Sequence, residues 1–336
     1  MRHCVILCLF MAGVVSGEQW VTGEVQRDTN FAEYVAAYTR LVQEQTSFTI
    51  ATSVWYHCAA RGLEVYTRNH DLSVRIRSLV QLQGSALVAR LQLQLPRSFE
   101  CQIYVYRDKA ELRSHLPEDL QAFSLERWHE GTAALTYQLN DDGTFNRTLL
   151  SDDVPYLLSI VLLEEFDTKG TIPAALRYGI AFATQKSVTN ALLTLSASLA
   201  EGERSDWMPF DELLTFNPDP RDEPRLLRSF NLTSGALAAY LGSTTPDRQL
   251  ARLLRMLAQG IPPEQAFSST LPLGTYDVVS RLEEEVYNWV KENFVPEAEP
   301  EAPGKVSHRT TVSLAVVAVV VAVGVTLTSW MRQLLS

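Results

Sequence analysis

Few side chains in this sequence combine the type and the spacing that chemistry needs. His57 and Cys58 adjoin, and Cys101 opens a second strand-like segment, so three soft ligands could hold zinc if those strands are neighbours. The plainer readings are a Cys58–Cys101 disulfide beside a surface histidine, or two buried thiols in a core. His129-Glu130 begins like the HExxH zinc motif, but Gly131, Thr132 and Ala133 follow and the second histidine is missing. Glu164 and Glu165 could be paired carboxylates for acid–base work, although adjacent acids at the end of an apolar run read more simply as a solvated helix end. Asn140-Asp141-Asp142-Gly143 reads as turn chemistry, since the spacing of a calcium-binding loop is absent. The sequence has no nucleophile elbow, no phosphate-binding loop and no dinucleotide fingerprint. A serine triad would have to draw on His57, His70, His115 or His129, and none sits in a recognisable setting.

The elements that position these residues follow from periodicity. Phe31, Tyr34, Val35, Tyr38 and Leu41 recur at helical spacing and predict a helix over 29–45. FTIATSVWYH (48–57) reads as strand, then LEVYT after Arg61-Gly62, with a long helix over about 72–93. CQIYVYR (101–107) predicts another strand and DKAELRSHL a short helix. TAALTYQL and FNRTLL, either side of the 140–143 turn, predict a hairpin. Leu157 to Leu163 is apolar on every side except Ser159, the mark of a helix at the centre of a domain. Pro173 opens the next helix, and helices fill the rest of the body; Thr245 is expected to cap one that Gly260 ends. Val278, Leu282, Val286 and Trp289 form the apolar stripe of the last.

The order of these segments resembles the peptidase MA-like domains of the gluzincin zinc metallopeptidases, over about residues 61–294. The cues are LEVYT entering a long helix, the strand IYVYRD, the hairpin, the buried helix, the Pro-initiated helix and the series AAYLG, LLRMLAQGIPPEQAF and WVKEN. The resemblance implies a thermolysin- or gluzincin-like α+β fold: a mixed sheet with helices up to about 150, then an all-helical subdomain. In active members of that family the buried helix carries HExxH and a glutamate on the following helix completes the site. Two histidines one turn apart, with an open fourth position, let zinc activate a water. Here Ser159 and Leu163 stand at the two histidine positions, Ile160 at the general base and Tyr178 at the glutamate ligand. No histidine occurs between His129 and His308, so no shift of register restores the pair. The resemblance therefore implies a degenerate member with no metal, no cofactor and no catalytic residue of its family. Its former cleft, floored by Ser159, Arg177 and Tyr178, is expected to be suited to an extended peptide added as a strand along the hairpin. The rival expectation is a hydrolase with a relocated metal site or unrecognised catalytic residues; a third is a purely structural module presenting its helices to a neighbouring membrane protein.

The two ends of the 336-residue chain speak of location. Residues 1–17 have the charged, apolar, small-residue order of a secretory signal, with cleavage expected before Glu18. Residues 18–60 form an N-terminal extension. Residues 312–330 carry no charge, match the ~20 residues a bilayer span needs, and place Val, Ala and Gly on every face. Between body and span, the Pro- and Glu-rich residues 295–311 read as a stalk, and 331–336 as a short tail. Lys305 and Arg309 precede the span and Arg332 follows, so orientation rests on the signal and not on flanking charge. With 46% hydrophobic and 20% charged residues the body is expected to fold. A net charge of −10 argues against nucleic acid as partner. The expected partners are membrane lipid around the span and a peptide or envelope protein at an ectodomain facing the periplasm or the cell exterior. Asn146-Arg-Thr and Asn231-Leu-Thr are glycosylation sequons in a eukaryotic host.

Overall fold

Alternation of large apolar and polar residues in LEVYT and CQIYVY turns one set of side chains inward and the other outward. A computed structural model realises that pattern. It describes residues 38–41, 49–50, 53–60, 63–94, 101–122, 127–130, 132–136, 148–202, 205–274 and 276–295. The signal, the stalk, the 312–330 run and most of the first expected helix lie outside these residues. Among the described residues no helix is long and apolar enough to cross a membrane. The fold is α+β with mostly helices, and it divides into two units, one ending at Phe166 and the other beginning at Asp167.

The first unit is built on a mixed sheet of β1 (Tyr56–Ala60), β2 (Leu63–Thr67), β3 (Cys101–Tyr106), β4 (Arg127–Glu130) and β5 (Thr132–Thr136), in the order β1-β2-β3-β5-β4. The inner strands run parallel and the two edge strands antiparallel to their neighbours. Parallel neighbours need a long crossover. Between β2 and β3 that crossover is α1 (His70–Leu91), capped by the Asn69 side chain, which accepts from Leu72 N at 2.8 Å. Leu63, Val65, Ile103 and Val105 are buried on one face of the sheet; Leu72, Ile76, Leu79 and Val80 of α1 are buried as well. After β3 comes α2 (Lys109–His115), whose Asp108 cap accepts from Glu111 N while the Glu111 carboxylate accepts from Arg107 N. The unit closes with a wide helical turn at Leu149–Asp153 that runs into α3 (Val154–Phe166), which lies against α1 and β5.

Three expectations change here. The strand expected at 48–57 begins only at Tyr56, because a segment β-prone throughout does not reveal where its partner starts. The TAALT strand pairs with Arg127–Glu130 before it; Thr148 to Asp153 of FNRTLL and its continuation is helical, and the 140–143 turn lies outside the described residues. The helix over 154–166 belongs to the sheet-containing unit, so the division falls after Phe166 and not near 150.

The second unit is helical: α4 (Ala174–Ala183), α5 (Val188–Ala200), α6 (Phe210–Leu213), α7 (Pro224–Thr244), α8 (Asp247–Ala258), α9 (Pro263–Thr270) and α10 (Val278–Asn293). Pro173 sits one residue ahead of α4 and Pro246 one ahead of α8, where a missing N–H leaves nothing unsatisfied. Gly260, at φ 83°, ends α8 as expected. The closest crossing joins α4 to α7. A Cβ on Gly179 would stand 2.2 Å from the Ser234 carbonyl oxygen, and a Cβ on Gly235 would stand 2.2 Å from the Phe182 ring. Glycine on each helix is thus what lets the other approach. Ahead of α4 the buried Asp167 carboxylate accepts from Thr171 N and Ile172 N at 3.0 and 2.6 Å, and the Thr171 hydroxyl donates to Leu257 O at 2.7 Å. Glu283 of α10 accepts from Trp207 Nε1 and from Phe210 N at the start of α6.

Candidate binding face

On α3 the positions that resemblance assigned to a metal site are packing positions. Ser159, Ile160 and Leu163 are all buried, and the Ser159 hydroxyl donates to Pro155 O of its own helix at 2.7 Å. Arg177 and Tyr178 belong to the other unit, where the Tyr178 ring meets Phe230 edge-on at 5.9 Å. A hydroxyl bonded back to its own helix, an isobutyl group and a phenol seated on a phenylalanine are no ligand set for zinc. Glu164 and Glu165 are half-buried at the end of α3 rather than fully solvated. Among the described residues no three His, Cys, Asp or Glu side chains gather closely enough to hold a metal ion.

The other soft-ligand candidates are separated by the sheet. Cys58 pairs with Val65 and Cys101 with Leu63, so β2 runs between the two cysteine strands. Two strand spacings are about 9.6 Å, beyond the ~7 Å limit of a disulfide, and both thiols are free. The expected bridge is therefore not made. Alternation also turns His57 to the opposite face from Cys58, which breaks the three-ligand cluster. Cys101 is buried, and burial, with the Glu165 carboxylate adding to it, pushes its thiol up to about 12. It is a core residue, not a nucleophile.

The outward face of the sheet holds the side chains with chemical capacity. His57, Tyr66 and Tyr104 occupy one row across β1, β2 and β3, with ring centroids 4.6 Å apart at both steps and planes 19° and 8° from parallel. Beside them runs a polar row. Glu64 accepts from the Tyr66 hydroxyl and from Gln102 Nε2, each at 2.9 Å, and lies 3.6 Å from His57 Nε2. These bonds, that of Tyr66 foremost, hold the Glu64 carboxyl below its ordinary range; the same bond pushes the Tyr66 phenol up to about 12. At the α2 end Tyr106 is buried with Leu112, Leu116 and Leu120, and Trp55 stands edge-on to both Tyr104 and Tyr106. The Arg68 guanidinium lies 3.9 Å over Trp55 and pairs with Glu111. Sequence reading missed this face. Its signal was the alternation in HC, EVY and QIYVY, which becomes a site only once the strand order is known.

His70 and His115 are exposed at helix ends; His115 lies 4.8 Å from the Tyr106 ring and its Nδ1 3.2 Å from the Ser114 hydroxyl, which donates to Glu111 O of its own helix. The Asn231 sequon falls inside α7, with Thr233 fully buried and accepting from Met208 N, a setting closed to glycosylation in the folded unit. No family model and no curated protein matches the chain.

Proposed function

We propose that this chain is an exported, membrane-anchored binding module of metallopeptidase-like, gluzincin-type descent, without catalytic activity, whose first unit takes up an extended peptide by strand addition. The observation that carries the reading is the free edge of β1: among the described residues it is hydrogen-bonded on one side only, to β2. An edge strand offers unpaired N–H and C=O groups, and a peptide laid along it gains main-chain bonds while alternate side chains are read on the two faces. On the outward face the next ring along the row would meet the half-exposed His57, so an aromatic residue in the peptide extends the stack. The absence of catalysis is supported by Ser159, Leu163 and Tyr178, which serve packing.

Elemental analysis of protein purified without added zinc tests the first half; about one zinc per chain would overturn it. A photoreactive residue at the exposed Ala59 of β1 tests the second. Its adducts with extended peptides should be competed away by unlabelled peptide, and a Tyr178 probe should give none. Equal labelling at the two positions would defeat strand addition at this edge.

A further inference from the structure

In a chain with 39 acidic and 29 basic residues, α8 carries a stripe of three arginines. Arg248, Arg252 and Arg255 are exposed and spaced i, i+4, i+7, which puts them on one side of the helix; Leu250, Leu253, Leu254 and Leu257 are buried on the other. Among the described residues no carboxylate pairs with any of the three, and the one bond they make runs from Arg255 Nε to Ala251 O of the same helix.

Contacts in the second unit fix what lies near that stripe. Glu283 of α10 holds Phe210 N, close to Met208, which binds Thr233 of α7. Further along, Tyr240 of α7 meets both Glu285 and Trp289 of α10. Trp289 in turn meets Phe294, the rings 5.3 Å apart, so the end of α10 lies close to the last turn of α7. Two residues separate the end of α7 from the start of α8, with Arg248 in its first turn. From Phe294, at the end of α10, the chain continues as Val-Pro-Glu-Ala-Glu-Pro-Glu-Ala-Pro, with Glu297, Glu299 and Glu301 at alternate positions. Pro296, Pro300 and Pro303 favour an extended course. At about 3.3 Å per residue the three carboxylates come about 10–23 Å beyond Phe294, spaced about 6.6 Å apart. The arginines rise about 6 and 4.5 Å along α8. Charge, spacing and reach agree.

We propose that the acidic segment 297–301 docks on the Arg248, Arg252 and Arg255 stripe of α8, drawing the start of the stalk onto the second unit. Because the segment is joined to the unit by a few residues, its effective concentration is high, and weak surface ion pairs suffice. This inference does not depend on peptide binding at β1.

The test uses the full-length chain in a neutral detergent. R252K supplies an amine, and a zero-length carbodiimide should join it to Glu297, Glu299 or Glu301 within one chain, less so as salt rises. In parallel, elastase should cut the Ala298–Glu299 bond about tenfold faster in R248E/R252E/R255E. Adding E297K/E299K/E301K to that variant should return the rate to that of the parent chain, with an unchanged circular-dichroism melt showing that the unit stays folded. Linked peptides found only between two chains would replace the proposal with self-association. Arginine-dependent sedimentation with phosphatidylglycerol vesicles, with elastase rates unchanged, would replace it with a lipid surface. Equal rates in all variants and no linked peptide would leave the stripe merely solvated.

Discussion

The outward face of the sheet in the first unit and the α4–α7 crossing in the second are built on opposite terms. The sheet face holds imidazole, phenols, an amide and a carboxylate in two rows open to water. The crossing holds two glycines, a serine carbonyl and a phenylalanine ring at distances that admit no added atom. Tyr178, where the resembled family has a metal ligand, is next to Gly179 in the closed region. The difference teaches that exposed polar and aromatic side chains collect where the sheet alternates, while the helix positions to which the resemblance would assign a metal are given over to packing.

The comparison breaks first if α3 can hold a metal. S159H/L163H restores the histidine pair but buries two imidazoles at fully packed positions, and it should cost about 4 kcal/mol. Urea denaturation measures this; recovery of that loss on adding zinc would reverse the assignment. Next comes G179A, whose new Cβ meets backbone that cannot turn aside; a loss of about 3 kcal/mol is expected, read as a fall in the thermal midpoint of unfolding. G235A meets a side chain instead, so about 1–2 kcal/mol is expected, and F182A in the same chain should relieve part of the clash, giving a non-additive cycle.

How much of this was legible in the sequence follows the same division. The long helix α1 and the stripe of α10 declare themselves by period, and LEVYT and CQIYVY by alternation. The partner of TAALT did not, because RWHE is four residues long with two charges and no apolar alternation. Nor did the importance of Gly179 and Gly235, since a glycine within a helical pattern gives no sign of which helix crosses it. The candidate site was read at the positions to which the resemblance assigns a metal, but the His57, Tyr66 and Tyr104 row needs three separate segments brought into register.

The smallest effect sharpens the open side of the comparison and is spectroscopic. The Tyr66 phenol, ordinarily at 10.0, is raised to about 12, chiefly by its bond to Glu64. The bond favours the neutral phenol, so its contribution is full below pH 10 and lost as pH rises through about 12. Glu64 is shifted the other way: its contribution is present above 4.5 and lost as pH falls through its lowered value. In E64Q the near-ultraviolet phenolate titration of Tyr66 should move back toward 10, with thermal stability at neutral pH nearly unchanged.

The separation of the two cysteines by β2 also makes a clock. Burial pushes the Cys101 thiol up to about 12, well away from the reactive thiolate, and the side chain is sealed behind the sheet. An alkylating reagent therefore reaches Cys101 only when the first unit opens. The half-buried Cys58 has no such seal. The rate at which Cys101 is alkylated counts openings of the sheet under native conditions, and it reports the unit's local stability without any denaturant.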